Sequence, residues 1–145
     1  MTSTASAALA NLAQINKLKS EPPNRDECTS MLRSARVRLH DARQVTLSME
    51  SRFDLAYNAA HAAALTALRF HGYRSDSRYL VFQCLAHTVN WCPEQWLILD
   101  QAHNKRNLFE YEGDLDVTEG FITELIENVH GLIIATQILI TASLS

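Results

Sequence analysis

Ser48-Met-Glu-Ser-Arg-Phe-Asp-Leu-Ala-Tyr-Asn-Ala-Ala-His-Ala-Ala-Ala-Leu-Thr-Ala-Leu-Arg-Phe-His-Gly72 contains no proline and carries glycine only at its end. Phe53, Ala56, Tyr57, Ala60, Ala63, Ala64, Ala67 and Leu68 recur at steps of three and four, the period of an α-helix with one apolar side. Ser48 is a suitable N-cap and Gly72 a suitable stop. Alanine at this density lets partner helices approach closely.

Both flanks continue the helical pattern. From Asp26 onward Leu32, Ala35, Leu39 and Ala42 fall on one stripe, with Arg33, Arg36, Arg38 and Arg43 on the other sides. Downstream, Leu80, Val81, Cys84, Leu85 and Val89 give an apolar side to a helix over about 77–89. Pro93 suits the first turn of a helix running to Tyr111, and Gly113-Asp114 ends it. Asp116-Val-Thr-Glu119 predicts a capping box for a last helix over about 117–142. Residues 4–18 predict a short Ala-rich helix, with Leu9, Leu12 and Ile15 at helical spacing. Glu21-Pro22-Pro23-Asn24 breaks it. That breaker divides the chain into an N-terminal arm or short helix, residues 1–24, and a helical domain, residues 25–145. No segment of useful length alternates with period two. The expected fold is all-α: an up-and-down helical bundle of about five main helices, with an extra N-terminal helix or arm.

Composition narrows the function classes. The chain has 145 residues, 47% hydrophobic and 20% charged, which excludes disorder as the main state. Four glycines and three prolines are too few for a fold of many short strands. A net charge of −3 gives no overall cationic field for nucleic acid, so any such contact is local. The charge is uneven: residues 1–46 hold seven basic and four acidic side chains, and residues 99–145 hold two and eight. Cys28, Cys84 and Cys92 form no CxxC pair, which predicts reduced thiols and a cytoplasmic location. No signal peptide is expected. The apolar run Gly131–Leu144 is shorter than a membrane span, so no membrane contact is expected.

The densest polar cluster is His103-Asn104-Lys105-Arg106-Asn107-Leu108-Phe109-Glu110-Tyr111. On a helix, His103, Arg106, Asn107, Glu110 and Tyr111 fall within an arc of about 140°. A guanidinium in such company grips phosphate or carboxylate with two parallel bonds. An ordinary solvated face with an Arg106–Glu110 pair meets the same spacing. A second stripe, Asp54, Asn58 and His61 with Tyr57 beside it, stands on the Ala-rich helix. Its polar groups need partners or water. They are met either by a hydrogen-bond network between helices or by a cleft shared with Arg106.

Residues 25–131 resemble the HEPN superfamily of small helical-bundle proteins. The run Lys105 to Tyr111 carries the match. The family hallmark is Arg, then a polar residue, then a His a few positions on; Arg106 and Asn107 take the first two places and Tyr111 the third. Arg52-Phe-Asp-Leu-Ala-Tyr-Asn-Ala-Ala60 and Leu68-Arg-Phe-His-Gly-Tyr-Arg74 also resemble the helix and turn of one bacterial branch, in which Tyr replaces His. The resemblance implies a homodimer with two motifs facing each other in one groove. It implies a metal-independent endoribonuclease, serving as a toxin or in phage defence and paired with a nucleotidyltransferase antitoxin. In that role Arg106 holds the scissile phosphate, Asn107 orients the site and Tyr111 stands where His would work. A phenol titrates near 10 and an imidazole near 6.5, so about one Tyr in a thousand is ionised at neutral pH. Tyr111 is then a donor or weak acid, and His103, or His61 from the facing helix, is left as base. Asp54, Asn58, His61, Glu110 and Lys105 complete the binding set, with RNA as substrate or ligand and no cofactor. The alternative is a non-catalytic module that binds RNA, a nucleotide or a nucleotidyltransferase partner.

Other patterns are weaker. Arg33 to His40 repeats an Arg-to-His spacing on a helix with an unbroken apolar stripe; Arg33, Arg36 and Arg43 read as an RNA-backbone patch or a solvated face. Asp100-x-x-His103 and Glu127-x-x-His130 mimic half of a carboxylate di-metal site. Glu50 or Asp54 supplies one more ligand and the helix over 77–89 none, so no metal is expected. Trp91, Trp96, Phe82, Phe109 and Phe121 read as core or dimer contacts. The last helix, with Ile133, Ile134, Ile138, Leu139 and Ile140, predicts cover on more than one side.

Overall fold

The computed structural model describes residues 4–142. Seven helices follow in order: α1 (Thr4–Gln14), α2 (Arg25–Ala42), α3 (Met49–Phe70), α4 (Arg78–Gln83), α5 (Leu85–Thr88), α6 (Pro93–Glu112) and α7 (Glu119–Ala142). The all-α bundle expected from the sequence is present. The long helices α2, α3, α6 and α7 alternate in direction. Arg52, early in α3, reaches both Ala42 at the end of α2 and Glu119 at the start of α7. At the other end Arg25 and Cys28 of α2 share a pocket with Phe70 of α3 and Ile140 of α7.

α3 is the central element because it is the one helix buried nearly all round. Ala56, Ala59, Ala60, Ala63, Ala64 and Ala67 are sealed from solvent against neighbouring helices. Ser48 caps it by accepting from the Ser51 N–H at 3.1 Å, and Gly72 leaves it at φ +91°, a left-handed conformation that favours glycine. Each end also holds a buried arginine. The Arg52 guanidinium donates to Ala42 O at 2.9 Å and pairs with Glu119 at 2.7 Å. Arg69 pairs with Glu27 at 2.7 Å and donates to the carbonyls of Glu21 and Pro22 at 3.0 Å. Buried guanidinium groups of this kind persist because their donors are matched.

Four details differ from the sequence expectation. A two-strand ladder, β1 (Lys19–Ser20) against β2 (Tyr73–Arg74), pairs Lys19 with Arg74 and Ser20 with Tyr73. Together with Arg69 it fixes the diproline segment, and Leu9 and Leu18 join the common core, so the N-terminal helix packs as part of the bundle. The expected helix over 77–89 is divided at Cys84, and Asn90 at φ +57° closes the second piece. The Asp116–Glu119 capping box does not form. The Thr118 hydroxyl accepts from Phe121 N–H at 3.0 Å, while the Glu119 carboxylate is taken by Arg52. Finally, α7 buries the side facing α2 and α3 but leaves Ile134 47% and Ile138 62% exposed. Counted over its whole length, α7 is long and apolar enough to cross a membrane by length and composition, which the Gly131–Leu144 count missed. Here it serves as a core helix.

Candidate functional site

The site is assembled from α3, α4 and α6. Its centre is Tyr57, fully buried on α3. An aromatic hydroxyl sealed from water needs a partner. Tyr57 Oη finds it in His103 Nδ1 of α6, 2.9 Å away. Asn107, one turn further along α6, donates its amide to His103 Nε2 at 3.2 Å. Acceptance at Nε2 puts the imidazole proton on Nδ1, which donates to Tyr57. Tyr79 and Phe82 of α4 pack on the same imidazole, with ring centroids 5.4 and 6.4 Å away.

Two guanidinium groups bracket the Tyr57 ring. Arg106 of α6 lies 5.1 Å from its centroid and Arg78 of α4 5.5 Å. This is cation–π geometry in a largely desolvated place. Arg106 pairs with Glu110 at 3.0 Å, one turn along its own helix. Arg78 donates to the side-chain oxygen of Asn58 at 3.1 Å, and Asn58 donates to Asp54 O at 2.8 Å. Asn58 is neutral, so Arg78 keeps its charge unpaired among the described residues.

Electrostatics follow from burial beside two cations. His61, edge-on to Phe82, is lowered to about 4 by burial first and then by Arg78 and Arg106. His103 is also lowered, chiefly by burial, with Arg106 and Arg78 adding to it and Asp100 opposing. Burial raises the Tyr57 phenol. The cluster therefore holds two neutral imidazoles and two guanidinium groups at neutral pH. It can bind an anion and offer or accept a proton beside it.

The residues singled out from sequence separate into three groups. Arg106, Asn107, His103, Asn58 and His61 come together around Tyr57, and Asp54, Glu50 and Glu110 line an adjoining cleft of about 350 Å³ with Arg106. Lys105 turns away: it donates to Asp116 O at 2.9 Å and covers the Phe121 ring, bracing the turn into α7. Tyr111 is 92% exposed and stands outside the cluster. Arg78 and Tyr79 are members that the sequence reading missed, since they follow the Ser77 cap of a short helix with no spacing that ties them to α6. Asp100, His103, Glu127 and His130 form no metal site; among the described residues no three His, Cys, Asp or Glu side chains come together to hold an ion. No protein-family model, curated protein or solved structure matches the chain.

Proposed function

We propose that this chain is a HEPN-type protein whose Arg106 site takes an RNA phosphodiester, acting as a metal-independent endoribonuclease in a toxin–antitoxin or phage-defence setting in the cytoplasm. The observation that carries the reading is the pair of guanidinium groups, Arg106 and Arg78, on the Tyr57 ring beside the neutral imidazole of His103. In this reading the two arginines hold the phosphate. His103, once Asn107 releases Nε2, accepts the proton of the ribose 2′-OH as its oxygen attacks phosphorus. A donor protonates the departing 5′ oxygen, leaving a 2′,3′-cyclic phosphate and a 5′-OH end. Tyr111, exposed in the single chain, is the donor that a second copy brings into the groove.

The second reading, a module that binds RNA, a nucleotide or a nucleotidyltransferase partner without cleavage, has its own support. Both His103 nitrogens are engaged, and the acid beside Arg106, Glu110, is tied to it as a paired carboxylate. Cleavage of RNA in EDTA by wild type and Arg106→Ala tests the first reading: the variant is expected to lose about a hundredfold in rate. Equal rates remove Arg106 from the mechanism. Tyr111→His separates the two readings, because nuclease activity gained only in that variant marks a binding module with an otherwise complete groove.

A further inference from the structure

Away from the Arg106 cluster and sharing none of its residues, α2 and α7 enclose a groove of about 440 Å³. That volume lies in the range of small-molecule sites. The helices run antiparallel along it, and a side-chain bond from Arg36 to Gln137 closes one end. The other end, two turns or roughly 10 Å along α2, carries Arg43, His40 and His130. Between the ends the wall is aliphatic: Leu39, Ile133, Ile134 and Ile138, with no Phe, Tyr or Trp and no acid in the lining.

The charge here lacks a counterpart. Arg52, Arg69, Arg74 and Arg106 each pair with a carboxylate. Of the two arginines that line the groove, Arg36 of α2 and Arg43 at its C-cap, neither has an ion pair among the described residues, although the chain as a whole is acidic, at −3. A guanidinium fork matches a carboxylate with two bonds. A second copy seated on this face by a two-fold axis would add a second set of Arg36, Arg43, His40 and His130 to a contact whose lining holds no acid, since such contacts use the same patch twice.

We propose that the groove binds an amphiphilic carboxylate with an unbranched aliphatic chain of medium length. The carboxylate sits at the Arg43, His40 and His130 end, and the chain lies along Leu39, Ile133, Ile134 and Ile138. The ligand chemistry follows from a cation at one end and a purely aliphatic wall of limited length. Titration calorimetry of the full chain with decanoate, below its micelle concentration, tests this. One saturable site per chain is expected, with no binding of decyltrimethylammonium, whose chain is the same and whose head is cationic. Arg43→Ala is expected to weaken decanoate about tenfold, and Ile138→Asp to abolish saturable binding; both side chains are exposed, and circular dichroism checks that each variant folds. The proposal is overturned by absence of a saturable site, by equal binding of the two amphiphiles or by unchanged affinity in Arg43→Ala. It is also overturned by sedimentation showing a dimer that decanoate dissociates, which would make a second copy the natural occupant.

Discussion

Tyr57 shows how one buried hydroxyl organises a site. Its ring receives two cations, and its oxygen accepts the His103 proton that Asn107 keeps on Nδ1. His61 lies in the same field and has a consequence for stability. Its folded value, about 4, lies below the ordinary 6.5 of the unfolded chain. Between those two values the unfolded chain binds a proton that the folded chain refuses, so stability falls as pH drops through that window and is flat above it. His103 acts in the same direction. Melting temperature measured from pH 7.5 to 4 should decline, and His61→Asn should flatten the lower part of the curve; an unchanged slope in the variant would assign the decline elsewhere. The sequence made His103, Arg106 and Asn107 legible because they share one helix face. Arg78 was not legible, because its partner Asn58 is twenty residues upstream on another helix and only the path between α3 and α4 joins them.

The ends of α3 are fixed by its arginines. Arg69 is 3% exposed; three of its contacts go to Glu21 and Pro22 in the segment that leads into α2, and a fourth goes to Glu27 in the first turn of α2. Arg69→Met leaves the Glu21 and Pro22 carbonyls without a donor, and a loss of about 3 kcal/mol is expected in urea unfolding. Glu27 and Glu21 are partly exposed and recover water, which keeps the loss from being larger. α6 behaves differently. Only Ile98, Leu99 and Ala102 in its first half are buried, while Leu108 and Tyr111 project from its second half. Leu108→Glu should therefore change stability by less than about 0.5 kcal/mol, yet in the dimeric reading it should shift sedimentation toward the monomer. Helix starts were readable where a single side chain decides them, as at Ser48. Asp116–Glu119 misled because a distant arginine claimed the glutamate that the box required.

One continuous core unites all the helices, from Leu9 in α1 to Ile140 in α7. The bundle was legible because the long helices repeat their apolar residues at one period and because Gly72 and Gly113 mark where they stop. The ladder was not, since two residues per strand carry no pattern, and neither was the role of Leu18, which lies outside any helix. Leu18→Ala should cost about 2–4 kcal/mol, as expected for a leucine buried in a core, and thermal unfolding should show one transition for the whole chain rather than a separate melting of the first twenty-four residues.

The pairing of Lys19 and Ser20 with Arg74 and Tyr73 has a reach beyond its four residues. Arg74 stands four positions before Arg78, so the anchorage of the α3–α4 turn helps to aim one of the two cations on the Tyr57 ring. A shortened product starting at residue 21 would then forfeit more than a tail: the placement of Arg78 on the Tyr57 ring would slacken although every residue of the cluster were intact.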